Sequence, residues 1–404
     1  MQKQVGSIMM VAGTCIGSGM IALPMVLVKL GLIPSLIVML IIWAVMYYTS
    51  LISLELNLQA KHGLSLGALG RLFSGRIAEL IGTISIKLLS YALLAVFIYG
   101  GSSVLQNLLN ENKGLSHIRL ENIESWYAGI AALLLLLPIR WLDYVNRLLF
   151  LGLLGVAAVL VIGLASMITL NDLPLVATTY SDISVWYVIL PVVFTAFGFQ
   201  VIFHTLTNYC NRNAKVLKRA FLWGSFVPGV IYIVWTFSVL IVVHHESPLF
   251  YEQMILGKVS VGDLIEELSK IAKWQAIQSL VWWISSLAIV TSVIGVGVGL
   301  CDSLNAMLSV RIPNIVIRKI LSSFITIFPA YIIAVLVPNA FIAVLGFAGM
   351  ILVIIAILLP VYLLSKTKVR NYHYPELGIK SLIVLSVIAG IVIIGCEFAN
   401  IITK

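Results

Sequence analysis

The chain has 404 residues, 61% of them hydrophobic and only 10% charged, with a formal charge of +9. A soluble domain is about half apolar and about a quarter charged, so this chain cannot cover its surface with polar groups, and its solvent is lipid. The basic excess then reads as loops on the cytoplasmic side of a membrane rather than as a nucleic-acid surface.

A bilayer core about 30 Å thick takes about 20 helical residues per crossing, so the length allows about a dozen crossings and no sizeable soluble domain. The first apolar segment covers 5–28. It outruns the apolar core of a cleavable signal and lacks a cleavage site, so it is expected to stay as the first helix. Inside it, "AGTCIGSGMIALP" (12–24) sets Gly13, Gly17 and Gly19 beside Thr14 and Ser18, poor material for a helix interior. Further segments follow at 32–56, 79–109, 126–140, 146–170, 186–208, 219–243, 274–308, 316–336, 339–364 and 379–402, eleven in all. The fourth is the shortest and closes on Pro138-Ile139-Arg140.

With the N-terminus in the cytoplasm, Lys and Arg gather on one side. That side holds Lys61, Arg71 and Arg76; Arg140 and Arg147; Arg212, Lys215, Lys218 and Arg219; Arg311, Arg318 and Lys319; and Lys366, Lys368, Arg370 and Lys380. The bias alternates loop by loop, as cytoplasmic loops require, and places the C-terminus outside. The loop 57–78 is expected to form a short interfacial helix inside, and "VGDLIEELSKIAKW" within 244–273 a short surface helix outside. Cys15, Cys210, Cys301 and Cys396 have no metal-ligand spacing and read as buried thiols.

The start of the sixth segment, "LPVVFTAFGFQVIFHT" (190–205), repeats the interruption of the first, from Thr195 to Gln200. Two five-helix halves, about 5–170 and 186–364 with an extra helix at 379–402, enter the membrane from opposite sides because five is odd. Paired interruptions in inverted halves point to a midplane site in secondary transporters. Breaking a helix frees N–H and C=O groups that lipid cannot satisfy. A carboxylate suits the freed N–H groups at a half-helix N-terminus, and an ammonium or cation suits the freed carbonyls. The competing reading is that Gly13-xxx-Gly17 serves close helix packing.

These stretches also resemble a family. "AGTCIGSGMIALPMVL", "LPVVFTAFGFQ", "AIVTSVIGVGVGLCDSL" (288–304) and "PNAFIAVLGFAGM" (338–350) are similar to the first, sixth, eighth and tenth helices of the hydroxy and aromatic amino acid permeases. The likeness runs along the whole chain and is strongest to the tyrosine-specific branch. It implies an all-α membrane protein of the LeuT-like fold, with five-plus-five inverted repeats, an eleventh helix, and helices one and six discontinuous. It further implies proton-driven import of an aromatic amino acid (tyrosine, tryptophan or phenylalanine) across the bacterial cytoplasmic membrane, without a cofactor or an obligate protein partner. Two departures touch specificity. Gln200 stands where tyrosine permeases of this family carry His, with His204 further on, and Cys15 and Ser18 replace other small residues.

On that resemblance, Thr14, Ile16, Gly17, Ser18 and Gly19 hold the substrate's charged end. Phe194, Thr195, Ala196, Phe197 and Gly198 complete the pocket, with a Phe ring stacking on the substrate. Tyr91 and Gln200 offer polar contacts, and Phe347 a side wall. Any single Phe serves equally well as core packing.

Intramembrane ionisable groups are functional candidates by default. Lys87 either carries a switching charge or snorkels to the interface. Glu55 and Asp302 would pair with it, or with loop arginines, as an inner gate. Glu397 reads as bland. His204 is a proton carrier by type. Thr291 and Ser292 would ligate sodium in a sodium-coupled variant, or simply bond a neighbouring helix.

Two further functions compete: a serine/threonine permease of the sister subgroup, and a channel. A membrane enzyme needs a catalytic constellation at membrane depth, and no HExxH motif occurs.

Overall fold

The computed structural model describes residues 2–61, 63–111, 120–137, 173–271, 275–309, 311–337, 340–367 and 372–403, with scattered helical positions between 141 and 163. Among the described residues every regular element is helical. Eight helices are long and apolar enough to cross a membrane. The bent pair Gln4–Cys15 and Gly19–Leu27, at 49°, adds a ninth if taken as one span. The protein is an integral, multi-pass membrane protein. The expected fourth segment is a helix displaced towards the N-terminus, Leu120–Leu135, and most of the fifth (146–170) lies outside the described residues.

The first segment is two helices, α1 (Gln2–Cys15) and α2 (Ser18–Leu27). Gly31, at φ 81°, turns the chain into α3 (Leu32–Gln59), a conformation that only glycine takes cheaply. The expected inner loop helix is α4 (Leu66–Phe73), N-capped by Ser65. It lies on α5 (Arg76–Glu111) nearly backbone to backbone, since a Cβ on Gly70 would stand 2.6 Å from the Ala78 carbonyl. α6 (Leu120–Leu135) follows.

The sixth segment also divides. α7 (Ile183–Ala196) ends before a 3₁₀ turn, Gln200–Ile202, and α8 (Phe203–Tyr209) resumes. The long α9 (Ala214–Glu246) comes next. The helix expected at "VGDLIEELSKIAKW" in the loop 244–273 is α11 (Val261–Ile271), and a second, α10 (Pro248–Ile255), precedes it. α11 buries Val261, Leu264, Ile265 and Leu268, a spacing that puts all four on one helical face. That face packs on α5, where the Gly262 amide donates to Ser103 Oγ at 3.0 Å.

α12 (Gln275–Leu308), α13 (Ile315–Leu336) and α14 (Ala340–Val353) complete the body. A π turn at Ile354–Leu358 leads into α15 (Leu359–Lys366), and α16 (Lys380–Thr403) closes the chain.

The segment 372–378 is strapped across the C-terminal end of α3 and the N-terminal end of α9. Glu55, fully buried on α3, accepts from the His373 amide at 2.9 Å and lies 3.1 Å from His373 Nδ1. Tyr374 donates its hydroxyl to the Ala214 carbonyl at 3.1 Å, and Lys218 pairs with Glu376. α1 is held to the same side: Ser7 Oγ lies 3.0 Å from Cys210 Sγ, and Gly224 of α9 receives Val11 so closely that a Cβ would meet it at 2.5 Å. Facing this group across a gap stand α5 and α12, themselves packed together.

Candidate substrate site at the two helix breaks

The gap between these two groups is a cavity of about 450 Å³, within the range of small-molecule sites. Both breaks line it. Thr14, Cys15 and Gly17 come from the first, and Thr195, Ala196, Gly198 and Gln200 from the sixth segment. Leu89, Leu93 and Phe97 of α5 form the opposite wall with Thr291, Ser292, Gly295 and Val296 of α12. The cavity runs from the breaks towards the end of the molecule that holds the N-terminus, past Gly6, Met9, Met10 and Tyr209. Towards the other end Met20, Leu23, Leu27 and Leu30 are packed solid.

Small residues make the junction possible. A Cβ on Gly17 would stand 2.5 Å from Ser292 Oγ, and one on Gly19 would stand 2.7 Å from Tyr232 Oη and 2.8 Å from Ala196 Cβ. No side chain caps α2 at Gly17, so the first turn of α2 presents backbone N–H groups at the break. At the second break the side chains serve the backbone. Thr195 Oγ1 lies 2.9 Å from both the Pro191 and Leu345 carbonyls, and Gln200 Oε1 accepts from the Phe199 amide at 2.9 Å. Gln200 Nε2 reaches Met46 Sδ at 3.5 Å. Ser292 and Thr291 donate to the Ala288 and Leu287 carbonyls of their own helix at 2.7 and 2.8 Å. Each hydroxyl oxygen thereby keeps its lone pairs.

Of the residues expected at the site, Thr14, Gly17, Thr195, Ala196, Gly198, Gln200, Thr291 and Ser292 come together around this cavity. The others lie elsewhere. Ile16, Phe194 and Phe197 are buried in the core, Phe197 edge-on to Tyr232 at 5.5 Å. Gly19 packs beneath the junction. Tyr91 donates its hydroxyl to the Ile325 carbonyl at 3.0 Å, and Phe347 is 39% exposed on the outside of α14. The side chains of Ser18 and His204 lie outside the described residues.

Lys87 meets Met307 Sδ rather than a carboxylate. Glu55 holds His373 and Gln59 instead of Lys87. Asp302 sits in a separate small hollow with Lys319. Glu397 is buried against α14, where only a glycine at 346 leaves room for its carboxyl. Sequence reasoning missed the wall, above all Phe97, Met9, Met10 and Tyr209. The signal was weak, because each stands in a stretch that is apolar nearly all round.

The residues 1–397 match the tryptophan/tyrosine permease family. This chain belongs to that family. It is 30% identical over 401 residues to tyrosine-specific transport system 1 of Haemophilus influenzae, covering 99% of this chain and 97% of that one. It is 26% identical to a tryptophan-specific transport protein of Pseudomonas aeruginosa, covering 90% and 86%. It is equally 26% identical to glutamine transporter 2 of Aliivibrio fischeri, covering 92% of each chain. The protein is therefore an amino acid permease of this family, a transport protein and not an enzyme.

Proposed function

We propose that this permease imports an aromatic amino acid, tyrosine first among them, by proton symport and alternating access, in a bacterial cytoplasmic membrane with its N-terminus inside. The observation that carries the reading is the chemistry of the cavity. Its described lining contains no charged side chain, two helix breaks supply backbone groups, and the remaining wall is apolar apart from the hydroxyls of Thr291, Ser292 and Tyr209. A zwitterion suits this, because its two charges can be met by the freed N–H and C=O groups. A ligand with net charge would find no counterion. Phe97, Met9 and Met10 offer an aromatic face and polarisable thioethers to a ring. The tyrosine- and tryptophan-specific relatives support the same choice.

The reading takes the halves 5–170 and 186–364 as an inverted repeat of the LeuT-like fold, with 379–402 as the eleventh crossing. The cavity is then the inward-facing state, open towards the N-terminal side and packed shut beyond Met20. Substrate and proton shift the balance between inward and outward states only through their different affinity for the two. Lys87, half-buried on α5, is the proposed coupling charge, and its neutral variant is expected to keep exchange while losing uptake against a gradient. The sodium reading has one observation in its favour, the Ser292 and Thr291 hydroxyls beside the first break.

Purified protein in liposomes with an imposed inward proton gradient tests these claims together, with labelled tyrosine and unlabelled tryptophan, phenylalanine, serine and glutamine as competitors. Proton-driven accumulation of tyrosine is expected. Accumulation that follows sodium and ignores pH overturns the proton claim, and preference for serine or glutamine overturns the aromatic one.

A further inference from the structure

Tyr232 lies midway along α9 and its side chain is wholly buried. Its hydroxyl donates to the carbonyl of Cys15, the last residue of α1, and lies 3.1 Å from the carbonyl of Ala196, the last residue of α7. In unbroken helices these carbonyls would accept from residues 19 and 200. Here both are released, and both converge on one phenol. The ring is fixed edge-on against Phe197, at 84° between planes. Gly19 leaves the room that the hydroxyl occupies. A turn further along, Trp235 Nε1 donates to the Met20 carbonyl at 2.6 Å, so α9 is tied to α2 independently of the phenol.

A phenol carries a single hydrogen, and two carbonyls at the edge of the cavity share it. Cys15 and Ala196 both line that cavity. The point is rich in acceptors and short of donors, which is the arrangement an ammonium group with three hydrogens completes.

We propose that Tyr232 is a positioning residue that selects the substrate's α-ammonium group. It holds the Cys15 and Ala196 carbonyls at the spacing the ammonium needs and yields one of them when the ammonium arrives. The phenol then keeps its own hydrogen on the other carbonyl. Each break thus contributes one acceptor, and a ligand without an amine leaves the phenol as it was. This inference rests on the amino acid reading above and adds which group of the substrate is read, and by which side chain.

The test compares ligands with and without the amine on wild type and on Tyr232→Phe, in purified full-length protein, by competition against labelled substrate. One pair is tyrosine and 3-(4-hydroxyphenyl)propionate, and a second pair is glutamine and its des-amino acid. In Tyr232→Phe the apparent affinity for the amine-bearing member falls about tenfold, as for loss of one hydrogen bond that keeps the two carbonyls at the spacing the ammonium needs. Affinity for the des-amino member stays within about twofold. Trp235→Phe, which removes the neighbouring tie, is expected to change both members of a pair alike.

Equal loss for both members in Tyr232→Phe, or no loss for either, overturns the proposal. A wild type that takes glutamine but not tyrosine overturns the aromatic reading, while the glutamine pair still decides the role of Tyr232. Failure of the wild type to bind any of the four overturns both.

Discussion

The two breaks look alike in sequence and are built differently. At the first, α1 and α2 meet at 49° around Gly17 and no side chain caps the new helix start. At the second, Ile183–Ile202 stays straight enough to count as one span, Gln200 accepts from the Phe199 amide within the break, and Thr195 ties the end of α7 to the Pro191 and Leu345 carbonyls. The first break therefore leaves backbone donors free for a ligand, whereas the second spends its own side chains on keeping its shape. Uncapped backbone and side-chain bracing are divided between two stretches that composition alone would call equivalent.

Substitutions at the glycines separate the two most sharply. Gly19→Ala drives a methyl group into Tyr232 Oη and Ala196 Cβ, both held in place, an overpacking worth about 1–3 kcal/mol. It is expected to reduce uptake more than about tenfold and to lower the melting temperature. Gly198→Ala meets Leu352 Cδ2 at 2.8 Å, the tip of a side chain that can turn away, and the Thr195 carbonyl less tightly at 3.0 Å, and its effect should be smaller. Equal or reversed effects in a paired melting and uptake series break the comparison.

Hydroxyl removal is the next probe. Thr195→Val keeps the shape but strips two buried carbonyls of a donor, costing about 1–2 kcal/mol. Thr14→Val removes only a bond to the Met10 carbonyl within its own helix and should leave the melting temperature nearly unchanged. A Thr14→Val loss as large as that of Thr195→Val would show that the first break is also held by side chains. Gln200→Ala unpairs the Phe199 amide and is expected to cost about 1 kcal/mol, read by chemical or thermal denaturation.

How much of this was legible in the sequence follows from the same physics. The breaks were legible because glycines and small polar residues interrupting an apolar run are a local signal. The faces were not. Phe194 and Phe197 flank the second break and point into the core, while Phe97 on α5 faces the cavity. In helices apolar all round no period separates one side from the other. Long-range pairings were equally silent: Glu55 and His373 lie far apart in the chain, and nothing near Glu55 announces a partner other than Lys87. Spans were clear where hydropathy was continuous. In the loop 244–273 the amphipathic stretch from Val261 was legible as a helix, whereas Pro248–Ile255, barely two turns long, is too short to show a period.

The smallest expected effect lies far from both breaks. The hydrogen bond from Lys218 holds the Glu376 carboxyl below the usual carboxylate range. A carboxyl lowered on folding contributes stability above its unfolded value, and that contribution is lost as pH falls through the lowered folded value. Both side chains are more than a third exposed, so the amount is below about 1 kcal/mol. Glu376→Gln should flatten the acid side of the stability profile and leave uptake at neutral pH untouched. A change in neutral uptake would mean that the inner strap takes part in transport.

The approach of Gly17 to Ser292 has a mechanical consequence. α1, α3 and α9 are bound together by the strap and by the Val11–Gly224 contact, while α5 and α12 form the opposing body. On the side of the N-terminus the two bodies are separated by the cavity, and at Gly17 they touch. In the alternating access proposed above, that point is the fulcrum about which one body rocks against the other to close the mouth. Bulk added at 17 would act as a wedge, holding the jaws apart however strongly the substrate draws them together.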